Sequence, residues 1–116
     1  MTYYSAVSGE AFAKIKSGQR LIEPRLNDDA HKNIRVGDML VLTNRDQTGQ
    51  ELVAKVVGVL RYPSFIEMFH VNGPSRFGTD DEASLLAEMH HYYKTEAEVR
   101  HGVLGIKLHL LKSAKL

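Results

Sequence analysis

Arg20, Glu23 and Arg25 stand within six positions of one another in the stretch Gly18-Gln19-Arg20-Leu21-Ile22-Glu23-Pro24-Arg25. Pro24 pushes the residue before it out of the helical region, so the stretch reads as extended chain. Alternation then puts Glu23 and Arg25 on one face. A carboxylate set between two guanidiniums is a small polar site able to hold a ligand. The same side chains can instead form a surface ion-pair cluster, worth about 0–1 kcal/mol and without further role.

Other chemistries have weaker signatures. His90 and His91 are adjacent, so on a helix they diverge by about 100° and cannot share an ion. No H-E-x-x-H pattern, P-loop or G-x-S-x-G elbow occurs, and neither a metal nor a cofactor is expected. Ser64 has the hydroxyl of a nucleophile, but Ser64 followed by Glu67 also fits a helix capping box, which is a sufficient structural role. Tyr92 and Tyr93 can stack on a base or pack in the core. His109 alternates with apolar neighbours and belongs on a solvent face.

At 116 residues the chain has room for a single domain, 1–116, with one core. There is no cysteine, which removes disulfides, thiolate metal sites and cysteine nucleophiles together. The first residues lack a basic, then apolar, leader, and no apolar run approaches the ~18 residues that span a bilayer. A cytoplasmic setting without membrane contact is therefore expected. Net charge is only +1, but residues 14–35 carry six basic and three acidic side chains, whereas residues 64–98 carry seven acidic and two basic ones. A basic segment in a near-neutral chain suits a small anionic ligand or a short nucleic-acid contact.

These residues need positioning elements. Residues 3–7 are β-prone, and Ser8 is a fitting N-cap for a short helix through Phe12 and Ile15, ended at Gly18. Asn27-Asp28-Asp29 and Gly37-Asp38 are turn signals with a polar loop between them. Residues 39–43 and 52–62 read as a hairpin, with Gly58 placed for a bulge. Both faces of 52–62 are largely apolar, which predicts a barrel interior on one side and a helix on the other. Ser64/Glu67, Thr79/Glu82 and Thr95/Glu98 each fit the S/T-x-x-E helix start. Leu85, Leu86, Met89 and Tyr93 make one apolar face of the middle helix. A last strand, 103–111, places Leu104, Ile106, Leu108 and Leu110 on one side.

Taken in order, Gly18-x-Arg20-x-Ile22-Glu23-x-Arg25, Ile34-x-x-Gly37-Asp38, Tyr62-Pro63-Ser64-Phe65-Ile66-Glu67-Met68, Tyr92-Tyr93-x-x-Glu96 and Gly102-Val103-Leu104-Gly105-Ile106 form one series. It resembles the ASCH domain (activating-signal-cointegrator homology) of the PUA-like superfamily, over roughly residues 9–111. The resemblance implies an α+β fold, a PUA-like curled β-barrel flanked by short α-helices, with a cleft beside the first motif. Family members are proposed to bind RNA. A small branch similar in layout hydrolyses the acetyl amide of acetylcytidine, using a lysine, a threonine three positions later and a distant glutamate. Here Arg20 and Glu23 occupy the first two positions, with Glu67 and Glu96 as candidates for the third.

Arginine stays charged where lysine can shuttle a proton, and Glu23 replaces a hydroxyl that could attack or position water. Arg20 and Arg25 can clamp a phosphate through paired N–H donors. Glu23 can accept from the exocyclic amine of a cytosine-like base. The expected function is binding of RNA, or of a nucleoside or nucleotide ligand, in a basic cleft formed by Arg20, Glu23 and Arg25 and walled by Ser64 and Tyr93. The alternatives are an amidohydrolase of acylated nucleosides with Glu23 as general base, or a non-catalytic protein-interaction module. On an exposed cluster, Arg20→Ala and Arg25→Ala weaken ligand binding and barely change the melting temperature.

Overall fold

Five strands, β1 (Thr2–Val7), β2 (Ile22–Leu26), β3 (Met39–Asn44), β4 (Gln50–Tyr62) and β5 (Val103–Lys115), form one sheet in the order β1-β3-β4-β5-β2. The computed structural model describes residues 1–115, with side chains described as far as Leu111. β1 runs parallel to β3, and the other neighbours are antiparallel. Helices α1 (Gly9–Lys16), α2 (Phe65–Asn72), α3 (Glu82–Tyr92) and α4 (Thr95–His101) flank it, with a 3-10 turn at Pro74–Arg76. The result is a mixed α+β fold built on a curled half-barrel. The segments 39–43, 52–62 and 103–111 share one sheet, as their patterning predicts.

The long strands let the sheet serve two cores. Register shifts fall between Val53 and Ala54 and between Val56 and Gly58 of β4. Leu52 and Val56 face the first core, with Phe12, Ile15, Leu104 and Ile106. Beyond Gly58, Val59 takes that side, while Leu60 and Tyr62 turn to the second core with Phe65, Phe69, Phe77 and Met89. A bulge inserts one residue and so exchanges the faces. The other side of β4 is covered only in this last stretch, since Val57 remains half exposed. Gly105 lets α2 approach β5: a Cβ there would lie 2.9 Å from Met68 Sδ and 3.1 Å from Ile22 Cγ2. Each large apolar side chain buried in these cores contributes about 1.5–3 kcal/mol.

Three helix starts differ in their capping. Ser64 caps α2 as expected, its Oγ accepting from the Glu67 N–H at 3.3 Å. Thr79 does not cap α3; Asp81 does, accepting from the N–H groups of Ala83 and Ser84. The Ser84 hydroxyl and these amides hold the Asp81 carboxyl below the usual carboxylate range. The cap's contribution is thus present at neutral pH and lost as pH falls through that lowered pKa. Thr95 lies inside α4, whose N-cap is Lys94 without a side-chain bond. Glu98 cannot close a box there because it is buried elsewhere: it accepts from the Phe65 N–H at 2.8 Å and meets His90 Nε2 at 2.9 Å. A carboxylate at the start of α2 complements the free N–H groups of its first turn. One side chain thereby ties α2, α3 and α4 together. The loop between β2 and β3 is not wholly polar in role, since Ile34 anchors it in the first core.

Candidate functional site

The chain enters β2 through Gly18, whose φ of +83° suits glycine alone, and an isolated antiparallel bridge between Arg20 and Phe77. Within β2, Ile22 and Leu26 turn to the second core, which leaves Glu23 and Arg25 on the opposite face. There they meet the end of β1, the first turn of α1, the turn after β3 and the last turns of α3. Together these line a cavity of about 280 Å³ that includes Ser8, Glu23, Arg25, Arg45, Glu88, Tyr92 and Tyr93. A wider groove of about 630 Å³ adjoins it, sharing Ser8, Ala11, Arg20, Glu88 and Tyr92.

Arg20 and Glu23 are each only 3% exposed, which excludes a surface cluster. Arg20 Nε donates to the Phe77 carbonyl at 2.9 Å. Its Nη1 donates to Glu23 Oε1 at 3.3 Å and to Glu88 Oε2 at 3.2 Å, and Nη2 donates to Glu88 Oε1 at 2.8 Å. Burial works against the Arg20 charge, but Glu23 and Glu88 outweigh it and raise its pKa. The other oxygen of Glu23 pairs with Arg25 Nε at 3.1 Å. Burial likewise works against the Arg25 charge, and Glu23 and Tyr93 outweigh it. Arg25 also donates from Nη2 to the Ala6 carbonyl at 3.2 Å.

The sequence candidates divide accordingly. Glu23, Arg25 and Tyr93 converge on the cavity. Arg20 lines it as well, with Nε, Nη1 and Nη2 each donating to a protein acceptor, and so holds Glu23 and Glu88 in place. Ser64 is outside the cavity lining; its place is the α2 cap. Ser64→Ala should cost about 1 kcal/mol and leave ligand affinity unchanged, as thermal melts and a binding titration would show. Glu67 and Glu96 are exposed and line neither cavity. The glutamate that reaches the site is Glu88, and the cation missed by motif reading is Arg45. Glu88 was detectable at the border of the α3 apolar face, beside the buried Met89; for Arg45 the sequence has no such signal. Tyr93 packs its ring on Phe65, with centroids 5.8 Å apart, and Tyr92 remains 45% exposed at the cavity mouth. One tyrosine therefore packs in the core, while the other stays at the surface with the Arg45 guanidinium 5.0 Å from its ring centroid. No helix among the described residues is long and apolar enough to cross a membrane.

The chain matches the ASCH domain over residues 6–112. It is similar to the crystal structure of the hypothetical protein PH0355, with 26% identity, TM-score 0.84, and coverage of 96% of this chain and 100% of that one. A Pyrococcus furiosus protein solved by NMR is 24% identical with TM-score 0.76, covering 97% of this chain and 99% of that chain. A single-site mutant of ZmASCH from Zymomonas mobilis shares the fold at 11% identity and TM-score 0.69, covering 99% of this chain and 74% of that chain. A comparison with curated proteins finds no match.

Proposed function

Since the chain belongs to the ASCH domain family, we propose that it binds RNA or a nucleotide-like ligand in this cleft, one base entering the cavity beside Glu23 and Arg25. The observation that supports this reading most is the side-by-side pair itself: a carboxylate and a guanidinium 3.1 Å apart, held rigid from below by Arg20. An acceptor next to a donor complements a base edge that carries an amine next to a carbonyl or ring nitrogen, as cytosine does. Arg45 lies over one face of the Tyr92 ring; a base stacked on the other face would gain about 1–3 kcal/mol. The volume, about 280 Å³, lies just below the usual range of ligand pockets, roughly 300–1,000 Å³. It suits one nucleoside unit and no more. A cytoplasmic setting, which the cysteine-free sequence suits, is part of this reading.

The test is a titration of short single-stranded RNAs followed by fluorescence anisotropy. Binding should weaken as salt rises, with a shallow slope set by one to three phosphate contacts, roughly −0.7 per contact for single strands. Arg25→Ala should weaken it at least about tenfold, the scale of one lost charge-assisted contact, in a protein that circular dichroism shows to be folded. A folded wild-type protein that binds no RNA, nucleotide or nucleoside at low salt would sink the proposal.

A further inference from the structure

Arg45 belongs to none of the sequence motifs, yet the turn between β3 and β4 carries it to the mouth of the cavity. Its guanidinium lies 5.0 Å from the centroid of the Tyr92 ring and donates from Nη2 to the Ala6 carbonyl at 3.3 Å. Arg25 Nη2 donates to the same carbonyl at 3.2 Å. Two guanidiniums thus converge on one neutral oxygen. The carbonyl satisfies their geometry through its two lone pairs, but it does nothing for their mutual repulsion.

The charges around the cavity leave one cation over. Arg20 with Glu23 and Glu88 is a unit bearing one net negative charge, and Arg25 neutralises it through Glu23. Arg45 has no ion-pair partner among the described residues. It rests against the Tyr92 ring and, among the described residues, only its Nη2 donates to a protein acceptor, so little ordering is needed before it can receive an anion. Arg25, mostly buried beside it, has its Nε on Glu23, which orients the far edge of the guanidinium toward Ala6 and Arg45.

We propose that Arg25 and Arg45 form a phosphate subsite for the same nucleotide whose base fills the cavity. The ligand class is then a phosphate ester of a nucleoside, and not the free nucleoside. This inference rests on the base-binding reading above. The phosphate could be a terminal monoester or an internucleotide diester, and the experiment separates the two.

Isothermal titration at low salt would compare cytidine, cytidine 5′-monophosphate and the dinucleotide cytidylyl-cytidine without a terminal phosphate, on wild-type protein and on Arg45→Ala. Arg45 is exposed, so this variant should fold, which a thermal melt verifies. The monophosphate should bind wild-type protein at least about tenfold more tightly than cytidine, as expected of a charge-assisted contact. Arg45→Ala should abolish that difference. The same gain with the dinucleotide would assign an internucleotide phosphate to the subsite, and a gain confined to the monophosphate would assign a terminal one. Equal affinity for all three, or a gain that survives Arg45→Ala, would overturn the subsite while leaving base binding intact. If none of the three binds, the base reading falls and the subsite with it.

Discussion

Arg20→Ala is expected to lower the stability of the fold by about 3–5 kcal/mol, the cost of removing one partner from a buried ion network. In a chain of this size that amounts to a fall in Tm of more than about 10 °C. Spacing alone implied the opposite, an exposed cluster whose loss hardly moves the melt. Burial reverses the expectation. Without the guanidinium, Glu23, whose side chain is 4% exposed, keeps only Arg25 as a charge partner. Glu88 loses both of its hydrogen bonds to Arg20, and the Phe77 carbonyl loses the donor at 2.9 Å.

Arg20→Lys separates charge from geometry. An ammonium is a point charge with three donors on a flexible stem, and it cannot reproduce a planar fork that serves a carbonyl and two carboxylates at once. The lysine variant should therefore melt between wild type and alanine. Denaturant titration of the three proteins provides the check. A Tm for Arg20→Ala within a degree or two of wild type would mean that the network is energetically neutral, and that Arg20 is held by the fold without holding it.

Why the fold was legible and much of the site was not follows from the range of the forces involved. The apolar run at 39–43, the alternation in 103–111, the capping serine at Ser64 and the glycine at 58 are local signals, each acting within a few residues, and all appear in the structure. The site is built from distant ones. Arg20 and Glu88 are 68 positions apart, and Arg45 reaches the carbonyl of Ala6 across 39. Nothing in the spacing of either pair announces the contact; the β1–β3 pairing and the packing of α3 create it.

Two capping errors share a cause. Thr79 and Thr95 each have a glutamate three residues on, yet in α3 Asp81 stands closer to the helix start and offers two oxygens. In α4 the glutamate, Glu98, is drawn to the Phe65 N–H and His90 on neighbouring helices. A pattern of S/T-x-x-E records what a segment can do alone. Tertiary contacts compete for the same side chain, and a buried charge-assisted bond of about 1.5–3 kcal/mol outweighs an exposed box.

Purified protein incubated with acetylcytidine should release cytidine at least about 100-fold more slowly than the lysine-bearing branch that Arg20 and Glu23 depart from. That factor is the lower end of what a positioned general base contributes. Deacylation needs a base to activate water or a hydroxyl, and a donor for the developing oxyanion. Arg25 can donate. The two carboxylates that line the small cavity are both paired with guanidiniums. Glu23 Oε1 and Oε2 are engaged by Arg20 at 3.3 Å and Arg25 at 3.1 Å, and both oxygens of Glu88 are engaged by Arg20.

The aliphatic hydroxyl in the small cavity already has a structural role. Ser8 Oγ accepts from the Ala11 N–H as the cap of α1, and no other serine or threonine lines the small cavity. Arg20, permanently cationic, cannot exchange a proton as the lysine does. Following cytidine release by chromatography, with Glu23→Gln and Glu88→Gln as controls, decides the matter. Brisk release lost in Glu23→Gln would make Glu23 the catalytic base after all, and release lost only in Glu88→Gln would move that role to α3. Background rates in all three proteins, beside RNA binding that weakens with salt, would identify the buried arginine network as the support of a recognition surface.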